Sequence, residues 1–130
     1  MLSAWKWVFL AALVFCAGCN RVTLNDERTV EVAVGTARPF IVEAAKKDQK
    51  IKVEVSSPGV PVSVYVCLEK DREAVEECIE AQRQSDKILA TMEKTERGTL
   101  EATIPANNVA MILLTNASAK TANVRVRTTN

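Results

Sequence analysis

The residues best suited to chemistry in this 130-residue chain are its four cysteines, Cys16, Cys19, Cys67 and Cys78. A thiol can act as a nucleophile, ligate a metal, accept a lipid or form a disulfide. The chain has no histidine, so it lacks the commonest general base, the Cys-His and Ser-His pairs and most zinc sites. These observations argue against an enzyme and predict other roles for the cysteines.

The first two cysteines end an N-terminal segment with the layout of a secretory signal. Lys6 precedes an apolar run from Trp7 to Ala17, and small residues stand before the break. The run is about 11 residues long, whereas a helix needs about 20 apolar residues to cross a bilayer. We therefore predict a signal peptide over residues 1–18, which is removed by cleavage before Cys19.

Ala17-Gly18-Cys19 after a hydrophobic stretch resembles the lipobox of bacterial lipoproteins. The resemblance covers only the leader, and Cys16 stands where family members usually have Leu. It implies that Cys19 is acylated, and two or more acyl chains hold a protein at a membrane essentially permanently. Asn20, in place of Asp, implies the outer membrane, with the domain facing the periplasm or the cell surface. The alternatives are secretion without a lipid and an uncleaved anchor.

The two remaining cysteines form an even pair. With the leader removed and Cys19 acylated, Cys67 and Cys78 would stand in an oxidising compartment. We expect a disulfide between them, which would close a loop of about 12 residues and contribute about 3 kcal/mol in the chain-entropy model. Two buried free thiols are the alternative. Redox catalysis is not expected, because the spacing is far from Cys-x-x-Cys.

The composition argues against several further classes of function. The chain has 17 Lys and Arg against 16 Asp and Glu, and the signs alternate along most segments, whereas a nucleic-acid binder presents a basic face. None of the four glycines belongs to a phosphate loop, so no nucleotide is expected. No loop is rich enough in oxygen ligands for calcium. Glu76 and Glu77 form a carboxylate pair, but neighbouring side chains on a helix point about 100° apart. We therefore assign no catalytic residue, and we expect no metal or cofactor.

Alternation of apolar and polar side chains predicts short strands after a polar tether over residues 19–28. Residues 109–115 are almost wholly apolar, which is typical of a strand at the centre of a sheet. Residues 87–94 fit a strand or a continuation of a preceding helix, and we favour the strand. The predicted strands are residues 29–34, 40–45, 50–55, 60–68, 87–94, 99–104, 109–115 and 122–127.

The hydrophobic period changes from that of a strand to that of a helix between Asp71 and Gln84, where apolar residues gather on one stripe. This pattern predicts a short amphipathic helix with Asp71 as its N-cap. Cys67 points away from the face that holds Val64 and Val66. A bond to Cys78 would therefore place the helix against the face that bears Tyr65, which makes that face the candidate binding surface.

Together, these elements predict a mainly β fold over residues 29–130, an antiparallel β-sandwich of seven to eight strands with one short helix between central strands. Two regions resemble the small jelly-roll sandwiches of bacterial pre-peptidase C-terminal domains. They are Val62-Ser63-Val64-Tyr65-Val66 and the closing pair of strands, Ala110–Asn116 and Thr121–Val126. The first region lacks the Asp residues typical of that family, so the resemblance implies the fold but not calcium binding or a peptidase-accessory role.

The sequence therefore predicts a membrane-anchored envelope lipoprotein that carries a non-catalytic β-sandwich. Its expected role is structural or protein-binding, with an envelope protein as the partner. The alternative is a peptide- or glycan-binding module that uses the face near Tyr65.

Overall fold

Eight antiparallel strands in two sheets account for most of residues 24–130, the part of the chain that the computed structural model describes. Sheet A has the strand order β1-β8-β3-β6, and sheet B has the order β2-β7-β4-β5. The strands are β1 (Asn25–Val32), β2 (Ala37–Val42), β3 (Gln49–Ser56), β4 (Val62–Leu68), β5 (Ile88–Thr95), β6 (Arg97–Ile104), β7 (Ala110–Thr115) and β8 (Ala122–Thr129). The predicted β-sandwich is confirmed. The signal peptide over residues 1–18 and Cys19 lie outside the described residues.

The core lies between the sheets and follows the alternation in the sequence. Ile51, Val53 and Val55 of β3 are buried, while Lys50 and Lys52 are exposed. The inward residues of the two sheets interdigitate. Each buried Val, Ile or Leu side chain stabilises the folded state by about 1.5–3 kcal/mol relative to an exposed one. The fully or nearly fully buried members of this core include Val32, Ile51, Val53, Val62, Val64, Val66, Ile104, Ile112, Leu114, Ala122 and Val124.

Strand β7 is apolar on both faces, as its sequence predicts. Five of its six residues are buried. Ile112 and Leu114 enter the core between the sheets, whereas Met111 and Leu113 belong to a second apolar cluster on the outer face of sheet B. A strand that is apolar on both faces needs other residues packed over its outer face as well.

That cover is the helix α1 (Arg72–Glu80), which follows a 3-10 turn over Glu69–Asp71. The helix is shorter than predicted because Gln82 adopts the left-handed conformation, with φ 54°, and the Arg83 amide donates to the Cys78 carbonyl at 2.8 Å. These are features of a helix C-terminus. Asp71 occupies the predicted N-cap position, but its side chain makes no capping hydrogen bond.

Strand β1 begins at Asn25, four residues before the strand start predicted from the sequence. Asn25 to Arg28 pair with β8 and are therefore part of the sheet rather than of a tether. The alternation is hidden because the inward positions at this end hold Asp26 and Arg28. Arg28 Nε lies 2.9 Å from Asp26 Oδ2, and the guanidinium lies 6.0 Å from the centroid of the Phe40 ring. Inward charges of this kind protect an edge strand from pairing with another chain.

Candidate functional site

The outer face of sheet B is apolar and is partly covered by α1. Val75, which is 0% exposed, packs with Ile79 on a cluster formed by sheet residues. The sheet residues of this cluster are Tyr65, Cys67, Met111 and Leu113. The helix thus lies against the face that bears Tyr65 and contacts it through apolar side chains.

A groove of about 430 Å³ runs beside the helix. We call it the helix groove and define it by Ala37, Glu76, Ile79, Glu80, Leu113 and Asn116. Ile79 and Leu113 supply an apolar floor, and the two glutamates stand on the helix wall. The groove therefore combines apolar surface with negative charge.

Asn116 fixes the wall of the groove that faces the helix. Its side chain is buried, and its amide nitrogen donates to the carbonyls of Val32 at 2.9 Å and Lys120 at 2.8 Å. Its side-chain oxygen accepts from the amide and the hydroxyl of Ser118 at 3.0 and 2.7 Å. Gly35, at φ 72°, donates its amide to the Asn116 carbonyl at 2.8 Å. These bonds join β1, the turn before β2 and the loop before β8.

An apolar strip continues from the groove along the edge strand β2. Ala37, Pro39 and Ile41 pair with Thr115, Leu113 and Met111 of β7 and therefore share the outer face with them. Ile41 is 51% exposed. An exposed side chain of this size next to an apolar groove extends the surface available to a partner.

Tyr65 is not the exposed residue of this face. It is only 9% exposed and belongs to the cluster beneath the helix. Burial and, to a smaller extent, Glu93 raise the pKa of its phenol, and a hydrogen bond with Ser63 opposes them. Phe40 also turns inward, against the main core. On the β2 side of this face, Ile41 is the large apolar side chain that is exposed.

Cys67 and Cys78 are both free cysteines in this structure, so the expected disulfide between them is not formed. Cys67 lies in the buried cluster under the helix, and Cys78 is half-buried on the helix itself. Burial, followed by the negative charges of Asp71 and Glu76, raises the pKa of the Cys67 thiol to about 11. The thiol is therefore protonated at neutral pH and is a poor nucleophile.

A second depression, of about 410 Å³, lies on the outer face of sheet A. We call it the arginine basin and define it by Glu27, Glu54, Ser56, Arg97, Thr99, Arg125 and Arg127. Strand register brings these residues together. Ser56 of β3 is paired with Arg97 of β6 on one side and with Arg125 of β8 on the other. Glu54 is likewise paired with Thr99 and Arg127.

The arginine basin has a net positive charge. Three arginines face two glutamates, which gives a formal charge of +1. Arg125 forms an ion pair with Glu27, and Lys52 Nζ lies 3.4 Å from Glu54 Oε1. Among residues 24–130, Arg97 and Arg127 have no ion-pair partner. Sequence reasoning missed this site because every one of its members reads as an ordinary solvent-facing residue of its own strand.

No group of three or more His, Cys, Asp or Glu side chains within residues 24–130 is arranged to hold a metal ion. In the same range, no helix has the length and hydrophobicity needed to cross a membrane.

Comparisons with known proteins show the class of fold. No protein-family model and no curated protein sequence matches the chain. The pre-peptidase C-terminal domain of a Bacillus anthracis collagenase has a similar structure, with a TM-score of 0.60 and 10% identity over 84% of this chain and 92% of that one. The sandwich belongs to the same fold class as that domain, as the resemblance in the sequence predicts.

Two further solved structures share the fold. The Yersinia pseudotuberculosis-derived mitogen has a TM-score of 0.57 and 9% identity, covering 83% of this chain and 86% of that one. PliG from Aeromonas hydrophila, a periplasmic inhibitor of g-type lysozyme, has a TM-score of 0.53 and 9% identity, covering 82% and 86%. At these identities the likeness shows the fold alone, because one fold hosts many functions.

Proposed function

We propose that the protein is a non-catalytic binding module, anchored in a bacterial envelope membrane by lipid on Cys19, which holds a protein partner in the helix groove. The observation that carries this proposal is the groove itself. It joins an apolar floor of Ile79 and Leu113 to a glutamate-bearing helix wall, and the exposed strip on β2 continues it. Partner-binding sites typically combine an apolar centre with a polar rim in this way.

The charge on α1 indicates the chemistry of the partner. The helix carries four glutamates and one arginine. Arg72 Nε lies 2.9 Å from Glu76 Oε1, while Glu80 has no ion-pair partner in the described part of the chain. A segment with one or two apolar side chains flanked by Lys or Arg would complement this surface.

The start of β1 limits where such a partner can lie. Six Cα–Cα steps separate Cys19 from Asn25, and a fully extended chain spans at most about 20 Å in that length. A domain acylated at Cys19 therefore stays close to the membrane surface. This short connection favours a partner in the same membrane or in the layer next to it.

The fold supports a protein-binding role. PliG has the same fold and is named as a periplasmic inhibitor of g-type lysozyme, which shows that such a sandwich can serve a protein–protein function in that compartment. The glycan-binding alternative has less support. Among the described residues the only aromatic side chains are Phe40 and Tyr65, and both turn away from solvent rather than forming an exposed platform.

A pair of experiments tests the two parts of the proposal. Cys19→Ala should abolish labelling by a fatty-acid analogue and release the protein from membranes; unchanged labelling would refute the anchor. For the groove, a photocrosslinking amino acid at Ala37 should capture one protein in living cells. The same amino acid at Thr103, an exposed residue on the outer face of sheet A, should capture none. Equal capture at both positions would refute the groove as the binding site.

A further inference from the structure

The arginine basin lies on the opposite side of the sandwich from the helix groove, and we propose that it binds a ligand through carboxylate groups. This site is separate from the proposed partner groove and does not depend on it. Three features of the outer face of sheet A support carboxylate binding. They are the register of the strands, the pairing of the charged side chains and the rigidity of the strand backbones.

The register places two arginines on either side of one hydroxyl. Arg97 and Arg125 occupy the same row as Ser56, one on each neighbouring strand. Adjacent strands are about 4.8 Å apart, so the Cβ atoms of the two arginines are about 10 Å apart across Ser56. Arginine side chains are long enough to lean over the serine from both sides. A carboxylate above Ser56 would then accept hydrogen bonds from the Arg97 guanidinium and from the hydroxyl, and Arg125 would join them by turning from Glu27 of β1 toward Ser56.

The guanidinium group favours a carboxylate because its planar fork of N–H donors matches the two oxygens of that group. Arg97 and Arg127 are available for this role, since neither has an ion-pair partner within residues 24–130. Arg125 is paired with Glu27 of β1, on the other side of β8 from Ser56, so a ligand carboxylate competes with Glu27 for it and Arg97 is the main donor. Lys52 Nζ lies 3.4 Å from Glu54 Oε1 and offsets part of the negative charge that Glu54 places beside the row above it.

The basin is built on rigid elements. β3 and β8 are both interior strands of sheet A, and their backbones are paired on each side. Met92 fills the space that a Cβ atom on Gly98 would occupy, so the β6 backbone between Arg97 and Thr99 is supported from below. The paired backbones therefore fix the positions from which Arg97, Ser56 and Arg125 extend, so the strands need no rearrangement when a ligand binds.

Carboxylates at this site have two sources, a small dicarboxylate or the acidic side chains of a peptide. With 15N-labelled domain, we would titrate succinate, an acetylated and amidated tetraglutamate peptide, and inorganic phosphate in separate experiments. We expect succinate or the peptide to shift the amide resonances of Ser56, Gly98 and Thr99. Whichever of the two binds more tightly identifies the source.

Substitutions provide the control. Arg97→Ala should weaken binding about tenfold or more, because a hydrogen bond between charged groups is lost. Arg97→Lys keeps the charge but not the fork and should give an intermediate loss. Arg83→Ala, at an exposed arginine after α1, should leave the affinity unchanged. Resonance positions away from the basin would show that each variant is folded.

Three results would overturn the proposal. The first is that neither succinate nor the peptide shifts the resonances of the basin. The second is that Arg97→Ala and Arg83→Ala bind the ligand with equal affinity. The third is that phosphate binds more tightly than either carboxylate ligand. The proposed partner site is tested separately, because Glu76→Lys and Glu80→Lys lie on the other face and should not change this titration.

Discussion

The two outer faces of the sandwich carry depressions of nearly equal volume, about 410 and 430 Å³, but of opposite character. The arginine basin on sheet A is made from the polar side chains of alternating strands and has a net positive charge. The helix groove on sheet B has an apolar floor and a negatively charged wall. The difference arises from β7, whose outer residues Met111 and Leu113 are as apolar as its inner ones.

Sheet A needs no cover because each of its strands has a polar outer row. Sheet B needs one, and the chain provides it in the excursion between β4 and β5. The helix leaves part of the apolar face open, at the side toward β2. The proposed binding surface on sheet B therefore exists because the helix covers only part of the apolar face. The proposed binding surface on sheet A exists because the strand register brings polar side chains together.

The largest effect on stability should come from disrupting the buried contact between α1 and sheet B. Val75→Asp would bury a carboxylate at a position that is 0% exposed and should lower the free energy of unfolding by about 4 kcal/mol. Urea unfolding measures this loss. Ala74→Asp, at a half-buried neighbour, is the matched control and should cost much less.

Hydrogen exchange on the same variant shows whether the two faces are independent. Amides of α1 should exchange faster in Val75→Asp, while those of β3 and β8 should remain protected relative to the global stability. If the amides of α1 in this variant have the same free energy of exchange as those of β3 and β8, the helix opens only together with the main core and is not a separate cover on one face.

Loss of the Asn116 network should have the next largest effect. Asn116→Ala removes two donated and two accepted hydrogen bonds at a buried site and should cost about 3 kcal/mol. Thermal or urea unfolding gives the value. Asn108→Ala is a control at the other end of β7, where the side chain makes one local bond, to the Ala106 carbonyl at 3.0 Å. A similar loss in both variants would contradict the assignment of Asn116 as the residue that joins the groove wall.

The buried thiol should make the stability of the helix-covered face depend on pH. The pKa of Cys67 rises from an ordinary value of 9.0 to about 11 in the folded protein. Above pH 9 the unfolded chain therefore releases a proton that the folded chain retains. The stabilisation is complete below pH 9 and is lost as the pH approaches 11. Cys67→Val should show a smaller loss over this range.

Alkylation before reduction checks the state of the thiols on which that prediction depends. Cys78, which is half-buried, should react before Cys67, which is buried. Native protein in which neither residue can be alkylated until a reductant is added would contradict the free thiols and restore the expected disulfide.

The sequence predicts the fold well wherever alternation is regular. The burial of Ile51, Val53 and Val55 and the two-sided burial of β7 follow directly from the pattern of residues. The start of β1 does not, because Asp26 and Arg28 occupy inward positions that usually hold apolar side chains. The strand reading of residues 87–94 is confirmed by β5.

The two candidate sites are less visible in the sequence, for physical reasons. Tyr65 lies on the same face as the helix groove, but the helix that packs on this face also buries it. The arginine basin combines residues from β1, β3, β6 and β8, and only the register between these distant strands places Arg97 and Arg125 beside Ser56. Nothing in the order of residues along the chain shows that pairing.

A charge reversal on the helix, read out by crosslinking from Ala37 in cells, tests partner binding in the helix groove. Glu76→Lys with Glu80→Lys changes the two glutamates that line the groove, whereas Glu73→Lys with Glu77→Lys makes the same change of charge at exposed helix positions that do not line it. We expect the first pair to abolish capture of the partner and the second pair to retain it. Equal capture by the two double variants, or loss in both, would contradict a cationic partner segment held in the helix groove.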